Sequence, residues 1–351
     1  MNSTDNIFTD SVARVFETLC TDAYLHSAEQ GEWLAAHWQT IEDLGLPLAL
    51  LSEDAGGFGM DRSHSLELLK LAGYFALPLP LAETMLANMR LSEAGFTVGA
   101  GVSVIALPCE NQPLNLVRQS SGWLLSGEVP NVSWGRRADR VGIPCRYRDE
   151  LFLVEVPRDA WRIAPRQGLD GAPLDNLLLD ASLPDEAVMH CTRGLDTFIA
   201  DDAAAQVLLM AGALQRVLEL TVQYAGERAQ FGKPLSKFQI VQQNLAVLAS
   251  QTCAANAASD LVIRALSGDG DLMPVAIAKS RAGEAAGICC GLAHQLHGAM
   301  GFTAEHRLHF FTKLLWACRD RGGNEAYWSR RIGQQLAQVE ADQLWPYLSS
   351  L

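Results

Sequence analysis

Residues 224–239 read Tyr224-Ala225-Gly226-Glu227-Arg228-Ala229-Gln230-Phe231-Gly232-Lys233-Pro234-Leu235-Ser236-Lys237-Phe238-Gln239. Upstream of them Val207, Ala211, Leu214, Leu218 and Val222 recur at spacings of three and four, the apolar stripe of a long helix. The pattern predicts that this helix ends near Gln230 and that Gly232 allows the turn. Arg228 is then held at a helix C-terminus beside an aromatic residue. There it offsets the helix dipole, and its planar fork of donors also suits a phosphate or pyrophosphate.

Working outward, Ile240 to Leu266 and Pro274 to Gln295 carry the same helical texture, rich in Ala and Leu, and Asp320 to Val339 reads as a last helix. Between the last two stands His294-Gln295-Leu296-His297-Gly298-Ala299-Met300-Gly301-Phe302, where two glycines let backbone approach a ligand, or simply turn. Residues 101–189 change character. Val102 to Leu107 and Leu151 to Val156 are short apolar runs that stop at prolines, and Gly122 to Gly127 is bounded by glycines. Such punctuation predicts a small β domain. Residues 1–100 read as mostly helical: Phe8, Val12, Val15 and Leu19 form a stripe, a Gly-rich break runs from Gly56 to Gly59, and another helix spans Ser63 to about Phe75 before Pro78 and Pro80. The expected class is α+β, mainly α. It comprises an N-terminal helical domain (1–100), a middle β-barrel or sandwich domain (101–189) and a C-terminal four-helix bundle (190–351).

Composition narrows the function classes. The chain has 351 residues, 49% of them hydrophobic and 19% charged, with a formal net charge of −13. It can bury a sizeable core and has no basic stripe for nucleic acid. Its eight cysteines are scattered without a C-x-x-C pair, which argues against a zinc site or a disulfide framework. His306 and His309 lack a third ligand in sequence, so no metal is expected. The first ten residues carry Asp5 and Asp10 and no basic run, unlike a signal peptide. No stretch reads as about 18 consecutive apolar residues. The expected location is cytoplasmic, with no membrane span.

The two C-terminal segments resemble the acyl-CoA dehydrogenase family. Arg228, Phe231, Gly232, Leu235 and Gln239 match its R-x-x-F-G-x-x-L-x-x-x-Q signature, and Gln295, Gly298, Gly301 and Phe302 match its Q-x-x-G-x-x-G-F/Y motif. The likeness extends more weakly to the whole chain, through Glu53-x-x-Gly56-Gly57-x-Gly59 and through Trp123-x-Leu125-x-Gly127 with Ala138-Asp139. The resemblance implies FAD as cofactor, held by Arg228, Phe231, Gln239, Gln295 and Gly298. Ser133 falls where the family keeps a Thr that bonds the flavin ring, or it is a solvated loop serine. The implied reaction is α,β-dehydrogenation of an acyl-CoA thioester. A carboxylate takes the α-proton, the β-hydrogen leaves as hydride, and an electron-transfer flavoprotein collects the electrons. A homotetramer or homodimer is implied, or a heteromer.

Two departures stand out. The family's T-E-P-x-x-G-S loop is replaced by the short Leu107-Pro108-Cys109-Glu110-Asn111-Gln112-Pro113. In addition, counting from Gly301-Phe302 places Gly322 where the family most often keeps its Glu base. Either the base has shifted to Glu325, or it comes from the helix upstream of Arg228, where the family alignment gives Asp202 beside Asp201. The run Ala200-Asp201-Asp202-Ala203 reads as a helix start, in which case Asp202 is a cap. Glu325 reads equally as a first-turn acid, Asp320 as an ion-pair partner of its flanking arginines, and Arg136 and Arg137 as loop-solvating or CoA-phosphate residues. The alternative function is a FAD-contacting, non-catalytic subunit of a heteromeric acyl-CoA dehydrogenase. A flavin oxidase or monooxygenase component is a third reading.

Overall fold

The computed structural model describes residues 3–109, 111–267 and 272–351. Five helices come first: α1 (Ser3–Leu19), α2 (Asp22–Glu29), α3 (Ala35–Asp43), α4 (Arg62–Phe75) and α5 (Leu81–Glu93). The strands follow: β1 (Ser103–Ile105), β2 (Asn115–Gln119), β3 (Gly122–Ser133), β4 (Arg140–Tyr147), β5 (Glu150–Pro157), β6 (Trp161–Ala164), β7 (Leu174–Leu183) and β8 (Val188–His190). The rest is helical apart from a minimal hairpin: α6 (Leu195–Glu227), β9 (Ala229–Gln230), β10 (Lys233–Pro234), α7 (Gln239–Ser267), α8 (Leu272–His297), α9 (Leu308–Asp320), α10 (Glu325–Leu336) and α11 (Leu344–Ser349). The expected order of helices, strands, helices is found. By packing, the chain divides after Asp201, inside α6, into two units. One comprises residues 1–25, 66–77 and 202–351; the other comprises 26–65 and 78–201.

In the second unit the strands form two four-stranded sheets, ordered β1-β4-β5-β8 and β2-β3-β7-β6. All pairs are antiparallel except β1 with β4. In β7, Asp175, Leu177, Leu179, Ala181 and Leu183 are buried while the residues between them face outward, the two-residue period of a one-sided strand. Leu91, Phe96, Leu151, Leu153 and Phe198 form one of the apolar clusters of this unit.

In the first unit the core takes Val207, Ala211 and Leu214 from the predicted stripe of α6, all fully buried; further along, Val217 and Leu220 are the buried residues, Leu218 is half-buried and Val222 is exposed. An 18-residue window of α6 has mean hydropathy 1.3, long and apolar enough to cross a membrane by length and composition, although the sequence reading found no such stretch. Yet 78% of that window is packed inside the protein, so α6 is a core helix. α4 crosses α6 closely. A Cβ on Gly212 would run into the Lys70 carbonyl and one on Gly73 into the Leu209 carbonyl, so both crossing points need glycine.

Three expectations are corrected. The last helix was read as Asp320 to Val339, but α9 ends at Asp320 and α10 starts at Glu325, because Gly322 and Gly323 take left-handed dihedrals that a helix cannot propagate. Within the expected bundle α6, α7 and α8 are long, and the stretch that read as a fourth long helix is divided between α9 and α10. Third, the α6 helix starts at Leu195 and stops at Glu227. Asp202 is thus two turns inside it and is no cap.

Candidate functional site

At one end of the first unit the two quoted segments meet. α6 stops at Glu227, and the Leu235 N–H donates to the Arg228 carbonyl at 2.8 Å. β9 and β10 then pair as a hairpin with Phe231 and Gly232 at its tip, both at positive φ, +52° and +78°. Two such residues make the turn that suits a twisted two-strand ribbon. Glycine adopts it freely, whereas phenylalanine is strained there. The Phe231 ring is nonetheless 91% exposed. Arg228 and Gln239 are exposed on either side of it, and among the described residues no carboxylate pairs with the Arg228 guanidinium.

The second segment is fastened to the first by aromatic stacking. His297, the last residue of α8, stacks on Tyr224 of α6 with ring centroids 4.4 Å apart and planes 24° apart, and the Tyr224 hydroxyl donates to the His297 carbonyl at 3.3 Å. This holds Gln295 and Gly298, both exposed, beside the base of the hairpin. His297 Nδ1 lies 2.8 Å from the Ala293 carbonyl, so Nδ1 carries the proton and Nε2 is an acceptor. That Nε2 is buried without a partner. Burial pulls the His297 imidazole down to about 4. His294 is sandwiched between Phe302 and Trp316, at 4.2 and 5.7 Å, and fixes the following turn.

The candidate base positions also converge. Gly322, at φ +64°, lies so close to α6 that a Cβ would sit 2.8 Å from the Ala203 Cα and 3.2 Å from the Asp202 carbonyl carbon. The turn is held from two sides. Trp328 Nε1 donates to the Gly322 carbonyl at 2.7 Å. Lys279 Nζ donates to the carbonyls of Arg319 at 2.8 Å and Gly323 at 2.7 Å. No side chain fits at Gly322. Glu325 is the first residue of α10, capped by Asn324, and its carboxylate is bound by Arg319 Nε at 2.5 Å. Burial works to raise the Glu325 carboxyl, but Arg319, a backbone N–H and the Lys279 charge outweigh it and leave it below the usual range. Glu325 is therefore tied into an ion pair, and Arg319 pairs with it, not with Asp320 as expected. Asp202 is half-buried on α6 and accepts from Gln206 Nε2 at 3.2 Å.

In the second unit Asp201 has its own partner. Arg90 Nε and Nη2 bind its two oxygens at 2.6 and 2.7 Å, with both side chains buried. Burial pushes the Asp201 carboxyl up and opposes the guanidinium too, but for Arg90 the carboxylates of Asp201 and Glu93 prevail, so the pair stays ionic. Ser133 closes β3, half-buried, opposite Leu174 of β7. Arg136 does not solvate a loop. It binds the fully buried Asp175 through its backbone N–H at 2.8 Å and through its guanidinium at 2.6 Å. Arg137 lies over the Trp33 ring at 5.4 Å. Sequence reasoning missed Lys279, although a lysine on an aliphatic stripe with Val275, Ala282 and Ala286 was a visible signal.

A helical bundle following a two-sheet β region, with a rigid outward hairpin on the bundle, is the acyl-CoA dehydrogenase architecture. Residues 196–336 match the family model for the acyl-CoA dehydrogenase C-terminal domain. The chain is 26% identical to acyl-CoA dehydrogenase IpdE2 of Mycobacterium tuberculosis over 284 residues, 79% of each chain. It is 29% identical to glutaryl-CoA dehydrogenase of Desulfococcus multivorans over 240 residues, 62% of this chain and 61% of that one. In fold it superposes on a chain of the ChsE4-ChsE5 complex of M. tuberculosis with a TM-score of 0.86 and 20% identity, covering 97% of this chain and 99% of that one. Residues 196–336 thus form an acyl-CoA dehydrogenase C-terminal domain, and over most of its length the chain is similar to acyl-CoA dehydrogenases.

Proposed function

We propose that this chain carries out FAD-dependent α,β-dehydrogenation of an acyl-CoA thioester with Asp202 as the base. The observation behind it is the packing of the Gly322 backbone against Asp202 and Ala203. The two places where the family keeps its base thus become one place, and Asp202 is a half-buried carboxylate that stands there. FAD would be held by Arg228, Phe231, Gln239, Gln295 and Gly298, with Ser133 toward the flavin ring. The fit rests on an unpaired guanidinium, an exposed ring fixed on a rigid hairpin, and glycine at a positive-φ turn. FAD, when bound, supplies the acceptor for the β-hydrogen as hydride. Asp202 takes the α-proton, and the α C–H electrons become the new C=C bond. An electron-transfer flavoprotein is the proposed electron acceptor.

A second reading is favoured by the same turn: a chain with glycine at the usual base position and Glu325 held in an ion pair can be the FAD-contacting subunit of a heteromer. Exposed Phe231, Ile240, Val247, Ile288 and Phe302 on the first unit are surface that association would cover, so an oligomer is proposed under both readings. Expression of this chain alone separates them. Retained flavin and turnover of an acyl-CoA, lost in Asp202→Asn, support the first. A flavin-free, inactive chain that gains both on adding a second chain of the same family supports the second.

A further inference from the structure

One tyrosine is bonded to both segments proposed to hold the flavin. The Tyr224 carbonyl accepts from the Arg228 N–H at 2.9 Å, where α6 runs out. Its hydroxyl donates to the His297 carbonyl at 3.3 Å, one residue before Gly298. Between these two bonds its ring lies on the His297 imidazole, with centroids 4.4 Å apart. His306 completes the cluster, edge-on to Tyr224 at 5.9 Å and to His297 at 4.6 Å. The Leu308 N–H donates to His306 Nδ1 at 3.1 Å, which ties this third ring to the start of α9. Residues of α6, α8 and the loop into α9 thus meet in three rings.

The imidazoles are neutral at ordinary pH. Burial pulls His297 down to about 4; burial and His309 lower His306 as well, against Glu227. Stacked rings tolerate little displacement, since overlap is lost when either one shifts. Two segments fixed at one spacing can take a ligand that spans them without first being ordered, and such preorganisation raises affinity.

We propose that Tyr224 is a positioning residue for cofactor binding: packed on His297 and His306, it holds the Arg228 hairpin and the Gln295–Gly298 segment at a fixed spacing, so that one FAD engages both. The proposal rests on FAD as the ligand of these segments and holds whichever residue is the base.

The test is an FAD titration of the flavin-depleted protein, in the assembly that retains flavin, alongside amide hydrogen exchange. In Tyr224→Leu the FAD dissociation constant should rise about tenfold, and amides 228–233 and 298–303 should together exchange about tenfold faster. Tyr224→Phe and His297→Phe keep a stacked ring and should stay within about threefold of the parent affinity. Tyr224→Leu should weaken FAD less in an Arg228→Ala background than alone, because the two act through one contact. A tyrosine with only a structural role would lower the melting temperature and leave these affinities unchanged. If Tyr224→Leu does not fold, His297→Leu, which removes the ring on the other side, decides. A folded ring-less variant with parental FAD affinity, or one in which a single segment loosens, overturns the proposal. A parent that retains no flavin in any assembly would instead overturn the reading of FAD as the ligand.

Discussion

The turn at residues 321–324 and the hairpin at 229–234 are both short connections built on left-handed residues, yet they are made in opposite ways. The turn is closed inward: its carbonyls are taken by Lys279 and Trp328, and a Cβ at Gly322 would meet α6. The hairpin is closed by its own backbone and presents Phe231, Arg228 and Gln239 outward. Strain at an exposed position that packing does not require points to a role outside the chain. A turn whose glycine carbonyls are taken up by Lys279 and Trp328 points to positioning what lies beneath it.

The comparison can be broken at either end. The largest effect is expected at Asp202. Asp202→Asn should lower kcat by about 10³-fold while the chain still folds. An unfolded variant would make Asp202 a structural acid. Next, Arg90→Ala strands the buried Asp201 carboxylate and should cost about 3–5 kcal/mol in denaturant unfolding. If the loss were small, Asp201 would be free to compete for the base role. Gly322→Ala should destabilise by about 2 kcal/mol and depress turnover together. Arg228→Ala should leave stability alone and weaken flavin retention instead. Phe231→Gly relieves the tip and should raise stability by about 1 kcal/mol while weakening whatever the ring contacts.

The smallest effect is electrostatic. The folded pKa of His297 lies below its ordinary value, near 4. Below about pH 6.5 the unfolded chain therefore binds a proton that the folded one refuses. Its contribution to stability is full above that pH and is lost as pH falls through about 4. His297→Phe should flatten the acid limb of a stability–pH profile over that window, and an unchanged limb would mean the stack on Tyr224 tolerates the imidazolium.

Local patterns carried much of this. The first half of the α6 stripe, Val207 to Leu214, and the turn after that helix are properties of neighbouring residues, and both are found, whereas Val222 of the same stripe is exposed. Other features depended on partners far along the chain. Asp201 and Asp202 look alike in sequence, and nothing local announces that Asp201 is bound by Arg90, 111 positions away. The alternative reading of Asp202 as a cap fails because α6 starts at Leu195: Thr197, Phe198 and Ile199 have weak helix propensity, which burial of Phe198 overrides. α5 went unread because Pro78 and Pro80 read as a break, whereas Pro80 sits at the N-cap of that helix, where its missing N–H costs nothing. Lys279 could not be placed, since its partners are backbone carbonyls, which no residue type announces.

The most direct measurement is an anaerobic visible spectrum of the purified chain titrated with a panel of acyl-CoAs, beside the Asp202→Asn variant. The account predicts a flavin band that one acyl-CoA class bleaches in the parent protein and none bleaches in the variant. A chain without a flavin band, or a variant that bleaches as fast as the parent, would contradict it.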